Sequence, residues 1–157
     1  MLKIALPEMS RIAIELKKLY PNVPVMGFAR GAGYANPTLQ RAGYDVVTVD
    51  ANIDRVEMRQ ALDESGWVTG RRATIQGNFD PNLLIDGDKE AIEEEAHNMV
   101  NDFGPRGLIG NLGGGLMGKE DPERVALFVQ AVRNASMKAI KLGAGDKELT
   151  RTLGGPQ

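Results

Sequence analysis

Four short apolar runs constrain this chain more than any other feature: VPVMGFA (residues 23–29), DVVTVD (45–50), ATIQ (73–76) and LIGNL (108–112). None alternates apolar with polar residues as a half-exposed antiparallel strand would, so each reads as a strand buried on both faces. Between them lie stretches with helical spacing. Residues 4–20 place Ile12, Ala13, Leu16 and Leu19 on one side and Arg11, Glu15, Lys17 and Lys18 on the other, an amphipathic helix that precedes the first strand. A short helix is predicted over 37–42, one over 55–64 capped by Asn52 or Asp54, a further short one over 82–84, a strong one over 89–103, and a last one from Asp121-Pro122 to about residue 142. Residues 66–71 read as a turn, and Gly77-Asn78-Phe79-Asp80-Pro81 as a tight turn behind the third strand. The prediction is α/β: four βα units of a parallel sheet, half of a (β/α)8 TIM barrel, with a small open doubly wound sheet as the other arrangement that periodicity allows. Residues 1–142 form that unit, and 143–157 a glycine-rich polar tail.

Composition removes several classes of function. The formal charge of −2 comes from interspersed acids and bases, with no basic face for nucleic acid. No apolar run approaches the roughly 20 residues that span a bilayer, and the opening MLKIALPEM is too short and too mixed for a signal peptide. Without cysteine there is no thiolate nucleophile, and His97 is the sole histidine, so a metal site would have to be built from carboxylates. No metal and no cofactor is predicted.

The stretch after the last strand, LIGNLGGGLMGKEDP, is the natural place for chemistry, since loops at the carboxyl ends of parallel strands carry it. It is nearly all backbone. Residues 113–119, GGGLMGK, satisfy the spacing G-x-x-x-x-G-K, but Glu120 stands where a hydroxyl should meet magnesium. They also fit G-x-G-x-x-G, with no further strand to carry a ribose-binding acid. What survives is a weaker role, in which the amides of Gly113, Gly114 and Gly115 hold a phosphate or carboxylate before the helix. Arg30 and Asp50 fall at the carboxyl ends of adjacent strands, where they either work on a ligand or pair with each other. Asn78 and Asp80 read as turn-formers bonding local amides, and His97 as a solvated side chain on a charged helix.

These residues also carry a resemblance. ATIQGNFDPNLL (73–84) resembles the QGNLDP segment of uroporphyrinogen decarboxylases, and residues 101–128 resemble that family's final strand, loop and helix. Leu6-Pro7, VPVMGFARGAGY and AGYDVVTVD match in order and spacing, so the similarity covers about residues 4–138 and corresponds to the family's carboxyl-terminal half. It implies a (β/α)8 barrel working as a homodimer, in cytoplasm or plastid. The reaction it implies is removal of four acetate carboxylates from uroporphyrinogen as carbon dioxide, without metal or organic cofactor. The family's arginine-rich substrate segment and its essential aspartate belong to the other half. Its loop reads NLGHG where this chain has Gly114 at the histidine, its following proline is Gly118, and the tryptophan after the second strand's aspartate is Ala51. The resemblance therefore carries over no catalytic residue. It carries Arg30, Asp50, Asn111, Gly113, Gly114 and Gly115 as substrate-pocket remnants, and Gln76, Asn78 and Asp80 as a framework turn.

A half-barrel leaves two strand edges and an inner apolar face uncovered. The expectation is a pseudoenzyme, inactive alone, held as a structural subunit by its edges and tail. The covering protein would be the missing half, a second copy or a large assembly. The alternative is part of a split or truncated decarboxylase completed by a partner chain. A small anion-binding module is the third reading.

Overall fold

The computed structural model describes residues 3–143, so all of the predicted tail beyond Gly143 lies outside the described residues. Strands β1 (Met26–Phe28), β2 (Val46–Thr48), β3 (Thr74–Phe79) and β4 (Leu108–Leu112) form one parallel sheet in the order β1-β2-β3-β4. Helix α1 (Ala5–Leu19) leads; α2 (Asn36–Arg41) follows β1 after a single tight helical turn at Gly33–Ala35. Helix α3 (Arg55–Thr69) follows β2, α4 (Leu83–Asp86) and α5 (Lys89–Phe103) follow β3, and α6 (Pro122–Lys141) follows β4. Gly27 pairs with Val47, Val47 with Ile75, and Ile75 with Leu108. A doubly wound sheet reverses its strand order at a switch point. This order never reverses, and α2 packs on α3, α3 on α5 and α5 on α6 in sequence. The open alternative is thereby removed; the array is that of half a (β/α)8 barrel.

A capping carboxylate accounts for the starts of α3, α5 and α6. Asp54 accepts from the Glu57 amide at 2.8 Å, Asp88 from Ala91 at 2.8 Å and Asp121 from Glu123 at 2.9 Å, each ahead of its helix. Helix α3 departs from expectation. It continues through Gly66, where a turn is predicted, and ends at Gly70, whose left-handed φ of 65° suits a helix terminus. Strand β3 also runs past its predicted end: Gly77, Asn78 and Phe79 pair with Gly110, Asn111 and Leu112, so the turn begins only at Asp80. Pairing across the sheet outweighs the local turn signal.

The sheet's two faces differ. Between sheet and helices lie Leu39, Leu62, Ile75, Ile92, Met99 and Phe103, all fully buried, and the rings of Phe79 and Phe128 pack 4.4 Å apart at 45°. On the opposite face, alternation and register align Phe28, Thr48, Gln76 and Ile109 in one row. Its polar centre is satisfied, Thr48 Oγ1 donating to Gln76 Oε1 at 2.9 Å. Its apolar ends are not covered. Met26 is 50% exposed, Phe28 46% and Ile109 43%. The first run is therefore not buried on both faces as predicted: on this face the residues of central strand β2 are buried, Val46 at 6% and Thr48 at 8% exposure, while those of the outer strands are not.

At the amino-terminal end of the strands, Asp45 ties three elements. Its Oδ2 accepts from the Val25 amide at 2.8 Å and meets Lys17 Nζ of α1 at 2.5 Å, while Oδ1 pairs with Arg71 ahead of β3. Burial disfavours the charged form, but Lys17, the Val25 amide and Arg71 together outweigh it and hold this carboxyl below its usual range.

Two predictions follow from these contrasts. In urea unfolding of the chain, Phe79→Ala lowers stability by about 3–5 kcal/mol, whereas Phe28→Ala, already half in water, lowers it by only about 1 kcal/mol. Because the folded state binds the Asp45 proton more weakly than the unfolded chain, its stabilisation is present above the ordinary carboxylate pKa of about 4 and lost as pH falls below it. Asp45→Asn is accordingly less stable than wild type at pH 7, and the difference shrinks on acidification in thermal melts taken from pH 7 to pH 3.

Candidate functional site

At the carboxyl end of β3 one buried side chain, Asn78, ties in the loop that leaves β2. It sits fully buried on β3, with its Nδ2 donating to the backbone carbonyls of Asp50 and Ile53, each at 3.0 Å, and its Oδ1 accepting from Arg55 Nε at 2.6 Å. One amide thus fixes both ends of the loop from β2 to α3. Arg55 continues outward to an ion pair with Glu95 of α5, and its Nη1 lies 3.7 Å from Asp102. The expectation that Asn78 bonds local amides is corrected: its partners lie 23 to 28 positions away. They become reachable only when β2 and β3 pair. Asp80 behaves as predicted, its Oδ1 accepting from the Asn82 amide and from Asn82 Nδ2, both at 2.9 Å.

Asp50, 8% exposed, uses Oδ2 to accept from the Gly31 amide at 2.9 Å, and so shapes the loop leaving β1. Arg30 is exposed and, among the described residues, does not pair with Asp50. The two lie on neighbouring strand ends but are not brought into one ion pair. Gln76 is occupied by Thr48, and Asn111 turns its Oδ1 onto the following amide of Leu112 at 2.9 Å.

The glycine loop splits into a packed part and an open part. Gly113 is buried: its amide donates to the Phe79 carbonyl at 2.8 Å, and its carbonyl accepts from the Ala51 amide at 3.3 Å. A Cβ on Gly113 would stand 2.2 Å from the Ala51 nitrogen, so no other residue fits where these two loops cross. Around Gly114 and Gly115 there is space, the nearest neighbour being Pro81 at 4.0 Å from a Cβ on Gly114. Beyond them the exposed Glu120 carboxylate accepts from Met117, Gly118 and Lys119 amides at 2.8, 2.9 and 3.0 Å. Led by the Met117 bond, these donors favour its ionised form and lower its pKa. Of the three amides predicted to hold a phosphate, that of Gly113 is spent on Phe79, while the amides bound to the chain's own carboxylate are those further along the loop.

Sequence reasoning passed over Arg55, Glu95 and Glu120. The first two carry no spacing signal; Glu120 did, as the odd residue at the end of the P-loop match. A concavity of about 500 Å³ near the strand ends lies between the turn at Gly33–Ala35 and the start of α3, lined by Tyr34, Asn52, Ile53, Asp54, Glu57 and Met58 among others. None of the predicted site residues lines it. His97 is exposed on α5, in a groove toward α6 with Glu93 and Lys138. Among the described residues no group of three or more metal-ligating side chains is assembled, and no described helix is long and apolar enough to cross a membrane.

The bonds of Asn78, Asp50 and Gly113 hold backbone. Asn78→Ala leaves two buried carbonyls and a guanidinium short of a partner, so it should cost roughly 2–4 kcal/mol in chemical denaturation. Arg30→Ala, with no partner to lose, should leave the same transition unmoved.

The comparisons with known proteins agree with this geometry. A family model described as uroporphyrinogen decarboxylase (URO-D) matches residues 2–135. The chain is similar to the uroporphyrinogen decarboxylase of Salinibacter ruber, 37% identical over 131 residues, covering 83% of this chain and 35% of that protein. It is 40% identical to that of Danio rerio over 120 residues, covering 76% of this chain and 30% of the relative. With the human protein it shares 36% identity over 140 residues, covering 85% and 36%. The chain therefore spans about a third of the length of the curated relatives it matches, although it holds four strands of the eight in the family's barrel. With the parallel order of its sheet and the match over residues 2–135, this chain belongs to the uroporphyrinogen decarboxylase family.

Proposed function

We propose that this chain is a decarboxylase-derived half-barrel that is catalytically inactive alone and serves as a structural subunit of a larger protein complex. The observation that carries the reading is the uncovered side of the sheet. Among the described residues β1 and β4 each have one unpaired edge, and Met26 and Phe28 of β1 and Ile109 of β4 stand about half exposed. A parallel sheet is stable when both faces are covered, so a protein surface has to complete this one.

The strand ends support the inactive part of the reading. Uroporphyrinogen carries eight carboxylates, and releasing four as carbon dioxide requires cations to hold the substrate and a proton donor to protonate its pyrroles. Of the candidate residues, Asp50, Gln76, Asn78, Asp80 and Asn111 are engaged in fixing backbone or one another. Arg30 and Lys119 are exposed cations there, and Gly114 has no side chain to move a proton.

A second reading is favoured by the intact framework. The Asn78 hub, the Asp50 bond to Gly31 and the close crossing of Gly113 with Ala51 are the supports an active barrel would need. In that reading the chain is part of a split or truncated uroporphyrinogen decarboxylase, and the remaining two thirds of the family's length supplies arginines, aspartate and edges. The third reading, an anion module at Gly113, Gly114 and Gly115, is weakened because the Gly113 amide is spent on Phe79.

Isolating the native assembly, identifying each chain that contacts this one and assaying the preparation for conversion of uroporphyrinogen to coproporphyrinogen separates the readings. The structural-subunit reading predicts neighbours unrelated to the decarboxylase and no product. Coproporphyrinogen formed by a complex holding the rest of the barrel would show instead that the chain is part of an enzyme.

A further inference from the structure

The loop between β4 and α6 is anchored firmly at both ends and by a single side chain in between. At its start the Gly113 amide donates to the Phe79 carbonyl at 2.8 Å; at its end the Asp121 amide donates to the Leu84 carbonyl at 3.0 Å, and Arg124 bonds the Ile85 carbonyl. From residue 114 to 120, the hydrogen bonds among the described residues are the three from Met117, Gly118 and Lys119 to the Glu120 carboxylate. Packing adds little. Leu116 is 55% exposed and Met117 75%, and a Cβ on Gly115 would meet nothing within 4 Å.

We propose that this loop is a two-state lid over the carboxyl ends of the strands, and that the Glu120 carboxylate is the latch that closes it. Closed, three consecutive amides are turned onto Glu120 and unavailable to anything else. Open, they become free donors beside the strand ends, and the glycines at 114, 115 and 118 give the backbone freedom to move between the two. The latch holds by charge-assisted hydrogen bonds, so it weakens when Glu120 is neutralised. The charged groups nearest it in sequence are Lys119 on the loop and Asp121, Glu123 and Arg124 at the start of α6, and the segment that the loop's end bonds, α4, carries Asp86 with Asp80 on the loop before it. Among the described residues none of them forms an ion pair with Glu120, which leaves the loop amides as its partners. The lid depends on this chain's own residues and not on the reading of function above.

Amide hydrogen exchange tests it directly, on the chain in the state in which it purifies. Wild type, Glu120→Ala, Glu120→Gln and, as a control at the same helix start, Glu123→Ala are compared through peptides covering residues 114–121. The expected result is about tenfold faster exchange at Met117, Gly118 and Lys119 in Glu120→Ala, an intermediate rate in Glu120→Gln, and wild-type rates in Glu123→Ala. Peptides from β3 and from the middle of α6 keep their protection in all four. Equal rates in wild type and Glu120→Ala would overturn the latch. So would acceleration by Glu123→Ala, or acceleration spreading through α6 and β3, since either would make the effect one of helix stability.

Discussion

Backbone hydrogen bonding in a parallel sheet leaves donors and acceptors along both outer strands, and its side chains project on both sides. Among the described residues, helices meet that constraint on one side of the sheet. Helices α2, α3, α5 and α6 cover one face in sequence and bury Phe79, Phe103, Ile75 and Leu62 completely. The opposite face carries a row from Phe28 to Ile109 with a satisfied polar pair at its centre and half-exposed apolar residues at its ends. Closed barrels have neither problem, because each edge finds a partner and the inward side chains fill the interior.

At the strand ends, side chains and close crossings hold backbone in place. Asn78 holds the β2–α3 loop by two carbonyls and passes through Arg55 to Glu95, while Gly113 admits a backbone crossing at Ala51 that a single Cβ would block. Supports of this kind keep loops in register whether or not chemistry takes place between them. Around Gly114 there is open space, and further along the loop the Met117, Gly118 and Lys119 amides close on Glu120.

Much of this was legible in the sequence, and the failures have a common cause. Helix α5 and strand β4 lie where their spacing and the Gly104-Pro105 stop place them, because the signals that define them are local. Strand β3 outran its predicted end, since Gly77 and Asn78 look like a turn until they face Gly110 and Asn111 across the sheet. Gly66 read as a break yet lies inside α3. Asn78 reads as bonding its neighbours in sequence, although its partners are in the loop after β2 and at the start of α3. Half-exposure of Met26 and Phe28 was not visible in an apolar run either: the pattern records what a residue is suited to touch and not whether a surface is present to be touched. The Glu120 latch, by contrast, is local and was there to be read.

The central claim is that the bare side of this sheet is a covered surface in the working protein. Hydroxyl-radical footprinting of the native assembly and of the isolated chain, read at Met26, Phe28 and Ile109 with the exposed His97 on the helix layer as reference, tests it most directly. Strong protection of the three sheet residues in the assembly, relative to His97 and to the isolated chain, is the predicted result. Equal labelling in both preparations would show that the sheet works uncovered and would contradict the account.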